Sequence, residues 1–149
     1  MILRWLVAAV HLLALGIGLG AVVARAAALR NAREHTAILR AFRADKFWGL
    51  AAVLWIGTGL WRLFGGLEKG TAYYFGSHVF WTKIGLFALV LVLEIVPMIT
   101  LIQWRILDRR GSPIDTHRAP LLARISVVQA VLVVLMVFAA TAMARGIGA

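Results

Sequence analysis

Four apolar stretches, roughly residues 5–24, 47–64, 79–102 and 121–144, dominate the chain. Each has about the 17–25 residues a helix needs to cross a hydrocarbon core ~30 Å thick. Lipid offers no partner to backbone N–H and C=O groups, so each stretch must satisfy its own and be helical. This holds even for the β-branched run 127–137. The chain is 149 residues long, 62% hydrophobic and 15% charged. A globule of that size leaves much of its surface exposed and has no room to bury so much apolar area. The sequence predicts an all-α integral membrane four-helix bundle, one transmembrane domain over residues 1–149, with the lipid bilayer as its first partner.

The connections set the orientation. Arg25, Arg30, Arg33, Arg40, Arg43 and Lys46 lie between the first two spans. Arg105, Arg109, Arg110 and Arg118 lie between the last two, with Arg124 just inside the fourth. The middle connection carries Lys69 alone, and the ends carry Arg4 and Arg145. The positive-inside rule then gives two basic cytoplasmic hairpins and both termini outside, as for a multi-pass protein of a bacterial inner (plasma) membrane. The net charge of +10 belongs to this flanking pattern and to anionic headgroups, so no nucleic acid partner is expected. Ala24–Arg25–Ala26 resembles a signal-peptide cleavage site. The apolar stretch before it is too long for a signal, however, and a dense cationic run follows.

Ala37, Ile38, Ala41 and Phe42 recur at helical spacing between cations, so the first hairpin should continue the helices beyond the membrane. Gly111, Ser112–Pro113 and Asp115–Thr116 punctuate the last connection, and Pro120 suits a first helical turn. Tyr73, Tyr74, Phe75, Phe80 and Trp81 read as an interfacial aromatic belt. Gly16 and Gly20 form a GxxxG pair, and Gly57 and Gly59 mark another face for close helix approach. Pro97 predicts a kink near Glu94.

Ionisable groups at membrane depth cost at least ~2.5–3.5 kcal/mol near the centre and are functional candidates. Here they are His11, Arg62, Lys83 and Glu94. Helical rise places the first three in the outer third of the span. Trp48, Trp55 and Arg62 share a heptad stripe. Lys83 and Glu94 are eleven residues apart, on one face and about 16 Å apart along the axis, with Phe87 and Val90 between them. Glu94 and Gln129 lie at matching depth. Each group also has a plainer reading. Arg62 and Lys83 can snorkel to headgroups, His11 can be a neutral core histidine, and Glu94 can pair with Gln129 or Arg105. An unpaired carboxylate there would stay protonated.

With no cysteine in the chain, a disulfide, a thiolate metal site and c-type haem attachment are excluded. His35, His78 and His117 have no metal-ligand spacing and read as solvated. Phosphate-binding loops, nucleophile elbows and zinc-protease motifs are absent from the sequence.

The segments LHLLALGIGLG, DKFWGLAAVLWIGTGLWR and FWTKIGLFALVLVLE resemble an uncharacterised family of bacterial four-helix membrane proteins. More distantly they are similar to HemJ-type protoporphyrinogen IX oxidases and related copper-resistance membrane domains. The HemJ-type pattern has an early helix histidine, a glycine-rich continuation and a Trp-x-x-Lys stretch. His11, Gly16–Gly18–Gly20 and Trp81 with Lys83 match it, the Trp-to-Lys spacing being one shorter. Where that family has a histidine eleven residues after the lysine, this chain has Glu94. The resemblance implies haem b held by His11 as axial metal ligand, with Arg62 and Lys83 near propionates or an anionic porphyrin. Lys83 and Glu94, ionisable groups on one face at membrane depth, are the candidate catalytic residues.

Three functions follow as expectations. One is a haem-binding oxidoreductase acting on a porphyrin or quinone. The second is a small ion- or metal-handling protein relaying through His11, Lys83 and Glu94. The third is a structural or accessory subunit within a homo-oligomer or larger membrane complex.

Overall fold

In a computed structural model, which describes residues 2–65 and 75–146, four helices form an all-α bundle. They are α1 (Ile2–Arg30), α2 (His35–Phe64), α3 (His78–Arg109) and α4 (Ala119–Ala144). All four are long and apolar enough to cross a membrane. Even in the best-covered span only 39% of an 18-residue window is buried within the bundle. The outward faces carry Leu12, Leu13, Val53, Leu60, Val92, Ile99, Val131 and Phe138, all exposed. That belt requires lipid.

The helices run past the apolar stretches. α2 begins twelve residues before its stretch and α3 ends seven residues after, so the first hairpin is helical down to a tight turn at 31–34. Ser77 caps α3 by accepting from the Phe80 N–H. α3 ends in a Schellman turn at Gly111, whose φ is +63°. There Ser112 N–H donates to Leu107 C=O and Gly111 N–H to Asp108 C=O, both at 3.0 Å. Pro97 is accommodated inside α3, which is continuous through it. In the last connection Asp115 accepts from the backbone N–H of His117 at 3.0 Å and lies 2.6 Å from its Nδ1. These contacts hold its carboxyl below the usual carboxylate range.

Each helix turns one heptad seam inward. In α1 the seam is Val7, His11, Ala14, Gly18, Ala21, Arg25 and Ala28, every member buried. In α2 it runs Ala37, Ala41, Ala44, Trp48, Ala51, Trp55, Thr58 and Arg62. In α3 it runs Phe80, Lys83, Phe87, Val90, Glu94, Pro97, Leu101 and Trp104, and in α4 Ala119, Leu122, Ser126, Gln129, Val133 and Met136. This 3.5-residue repeat is the signature of left-handed bundle packing. The close backbone contacts are α1 with α2, α1 with α4 and α3 with α4. α2 and α3 meet chiefly through side chains, such as Trp55 edge-on to Phe87 at 5.4 Å and His35 Nε2 2.7 Å from Asp108.

The glycines sort differently from the GxxxG expectation. A Cβ at Gly16, Gly20 or Gly57 would meet nothing within 4 Å, so these positions face outward. Gly18 is the packed one, with Ala51 Cβ at 3.4 Å and Trp48 at 3.6 Å from its would-be Cβ. The alanine-rich seams of α1 and α2 meet here, and that register selects Gly18. Gly18→Leu should therefore lower thermal stability in detergent by about 1–3 kcal/mol through overpacking. Gly16→Leu should leave the melt unchanged.

Phe75, Phe80 and Trp81 cluster with ring centroids 5.7–5.8 Å apart, and Trp81 Nε1 donates to Phe75 C=O at 3.1 Å. Lys69, Tyr73 and Tyr74 lie outside the described residues.

Candidate functional site

The seams carry two polar layers, and apolar layers separate them. Toward the end away from the basic hairpins, His11 of α1 packs on α2. Its ring stacks on Trp55 at 5.7 Å and 29°, and Gly59 leaves room for it, since a Cβ there would sit 3.4 Å from His11 Cε1. His11 Nδ1 is 2.9 Å from Thr58 Oγ1. The Thr58 hydroxyl spends its one proton on the Leu54 carbonyl, 2.6 Å away. It can then only accept from the imidazole, so Nδ1 carries the proton and Nε2 keeps a lone pair.

His11 lines a cavity of about 440 Å³ with Trp55, Arg62, Phe80, Lys83, Met136 and Met143. Three of the four sequence candidates, His11, Arg62 and Lys83, are thus brought together. That volume falls in the range of small-molecule and cofactor sites. Among the described residues its wall carries two cations, Arg62 and Lys83, and no carboxylate. Trp55 Nε1 is buried without a hydrogen-bond partner. An indole N–H in that state is an unused buried donor.

Glu94, the fourth candidate, is elsewhere. Two heptads below His11, or about 21 Å at helical rise, Arg25 is wholly buried, with 0% side-chain exposure. Its Nη1 donates to Asp45 Oδ1 at 2.7 Å and to Glu94 Oε1 at 2.8 Å. Its Nη2 donates to Glu94 Oε2 at 2.9 Å and Gln129 Oε1 at 2.7 Å, and Nε to Ser126 Oγ at 3.0 Å. All five guanidinium donors are used. Gln129 Nε2 in turn donates to Glu94 Oε2 at 2.8 Å and Val90 C=O at 3.2 Å. Arg105 completes the layer, donating to Asp45 Oδ2 at 2.6 Å and Phe42 C=O at 3.1 Å. Two arginines and two carboxylates leave the set electrically neutral.

The depth match of Glu94 with Gln129 is therefore a direct hydrogen bond. Arg105 reaches Asp45 rather than Glu94, because Arg25 already occupies both carboxylate oxygens. Arg25 and Asp45 are the residues sequence reasoning missed as site members. Arg25 follows an apolar stretch and was counted among the connection cations. Its position on the seam, seven residues after Gly18, is the signal that finds it. Lys83 and Glu94 line different cavities. Glu94 borders a small one of about 50 Å³ lined by all four helices, which shares Leu15 and Trp55 with the outer cavity.

Among the described residues no three His, Cys, Asp or Glu side chains come together as metal ligands. The donor chemistry nevertheless fits a haem iron, which proteins commonly hold by an imidazole nitrogen, alone or with a thioether. His11 Nε2 and the Met136 and Met143 sulfurs are of those kinds.

Four apolar spans closed over two inward polar layers define a multi-pass membrane protein of the helical-bundle class. The chain matches, over residues 3–148, the family model described as "Predicted membrane protein (DUF2214)". It belongs to that family. No curated protein and no solved structure matches it.

Proposed function

We propose that the chain is a haem b-binding oxidoreductase of a bacterial inner membrane, HemJ-like, acting on a porphyrin or quinone. The observation that carries this reading is the state of His11. Thr58 fixes its Nδ1 proton, and Nε2 is left as a ligand atom on a cavity that also holds Arg62 and Lys83. A hydrogen bond on the far ring nitrogen is how proteins orient an imidazole toward a metal. His11 would hold the iron, and Arg62 and Lys83 would bind carboxylates of the haem or of an anionic substrate. Trp55 and Phe80 would wall the site. When bound, haem supplies one-electron chemistry that these side chains lack.

An ion relay through Glu94 is less well supported, because Glu94 is locked to Arg25 and Gln129 rather than open to Lys83.

The test is an absorption spectrum of the detergent-purified protein from haem-replete cells, oxidised and dithionite-reduced. A Soret band that sharpens and shifts on reduction is the expected result. A folded, monodisperse, colourless protein that gains no Soret band on titration with hemin would sink the proposal.

A further inference from the structure

A second cavity, of about 580 Å³, is a groove between α1 and α2 that opens outward, with the seam residues Ala21, Ala28 and Ala44 along its inner edge. On α2 it is bounded by Arg40, Arg43 and Phe47, which repeat at helical spacing on one face. On α1 it follows Ile17, Gly20, Ala24 and Asn31. From Asn31 to Ile17 is about 21 Å at helical rise. That exceeds the ~15 Å half-thickness of a hydrocarbon core, so the groove reaches from headgroup level well into one leaflet. It is polar and cationic at one end and apolar at the other.

The two arginines differ from the other pair near this end of the bundle. Arg25 and Arg105 are both neutralised by Asp45 and Glu94. Among the described residues Arg40 and Arg43 have no ion pair or hydrogen-bond partner, and no acidic residue borders the groove. Gly20 leaves the groove floor bare, since a Cβ there would touch nothing within 4 Å.

We propose that this groove is a binding site for one anionic phospholipid. Arg40 and Arg43 hold the phosphate, guanidinium groups being suited to paired hydrogen bonds with its oxygens. One acyl chain lies along Gly20 and Ala24 between Ile17 and Phe47. A soluble phosphate would use the arginines but gain nothing from the apolar half. A second copy of the chain packed here about a two-fold axis would bring the same arginines face to face, which like charges oppose. The proposal is independent of the cofactor reading and concerns a flank of α1 at the end of the helix away from His11.

The test uses the full chain in mild detergent, with native mass spectrometry and thermal melts. The additives are phosphatidylglycerol, phosphatidylcholine and inorganic phosphate. Phosphatidylglycerol should stay bound and raise the melting temperature, whereas phosphatidylcholine and phosphate should not. R40Q/R43Q should weaken phosphatidylglycerol binding by about 30-fold, at about fivefold for each basic residue near the membrane surface. Gly20→Leu should weaken it as well while leaving the lipid-free melt unchanged. R109Q/R110Q, removing equal charge from the other hairpin, should leave it intact. Four results would overturn the proposal. They are no retention of phosphatidylglycerol by the wild type, equal loss in R109Q/R110Q, equal protection by phosphate, or a dimer broken by Gly20→Leu with lipid binding unchanged.

Discussion

Arg25→Met will cost the protein most of its stability, although no substrate or cofactor need touch this residue. Truncating the guanidinium leaves Glu94 without a cation, removes one of the two partners of Asp45, and frees the Gln129 and Ser126 oxygens, all inside the bundle. Removing one partner of a buried ion pair typically costs about 3–5 kcal/mol, mostly from the charge left behind. Against a total of about 5–15 kcal/mol for a domain, that is a large share. The melting temperature in detergent should fall by on the order of 10 °C, or folded protein should fail to accumulate. Arg25→Lys should recover little, because an ammonium has three donors and no planar fork with which to bridge Asp45, Glu94 and Gln129 together.

A second variant separates the network from mere bulk. In Arg25→Met combined with Glu94→Met both charges go together, and Asp45 keeps Arg105 at 2.6 Å. The pair should be more stable than Arg25→Met alone, since an apolar replacement of a whole buried ion pair is often near neutral. If Arg25→Met melts within about 2 °C of wild type, under roughly 1 kcal/mol, the layer holds nothing together and its buried appearance is incidental.

The same residue shows where the sequence was opaque. Lipid imposes one secondary structure on an apolar run, so four helices were legible from length alone. Charge counting was less discriminating. The positive-inside pattern treats Arg25 and Arg30 alike, yet Arg25 is wholly buried and Arg30 exposed. What distinguishes them is a phase of 3.5 residues, in which Arg25 falls in line with Gly18, Ala21 and Ala28. The same phase separates Gly18, packed on Ala51 and Trp48, from Gly16 and Gly20, which face outward. Phase was read on α2, through Trp48, Trp55 and Arg62, and on α3, through Lys83 and Glu94. Those side chains do lie on inward seams. Asp45 escaped because it sits one residue off the α2 seam and reaches Arg25 only through the width of the helix pair. The proximity of His11, Arg62 and Lys83 followed from depth, but the Thr58 bond did not. Which helices touch has no local signal.

That bond makes the cofactor reading sharper than a histidine knockout alone. His11→Ala should abolish haem absorbance while leaving the melt of the cofactor-free protein close to wild type, because Thr58 keeps its own bond to Leu54. Thr58→Val is the more telling change. Valine matches threonine in shape and removes only the oxygen that takes the Nδ1 proton. The imidazole then loses its fixed orientation and part of its basicity while remaining able to ligate. Loss of such a supporting hydrogen bond typically weakens metal binding by about 10–100-fold. Thr58→Val should therefore retain a Soret band at saturating hemin, require that much more hemin to reach it, and show a shifted reduction midpoint. Thr58→Ser should restore wild-type behaviour in both respects. A variant that binds hemin as wild type does, with an unmoved midpoint, would mean that the iron sits on another atom. His11 would then be a core histidine satisfied by its neighbours. Lys83→Met gives the complementary test, since it removes a charge from the cavity wall without touching the ligand. Weaker hemin binding with an unaltered spectrum would assign Lys83 to the carboxylate side chains of the porphyrin rather than to its iron.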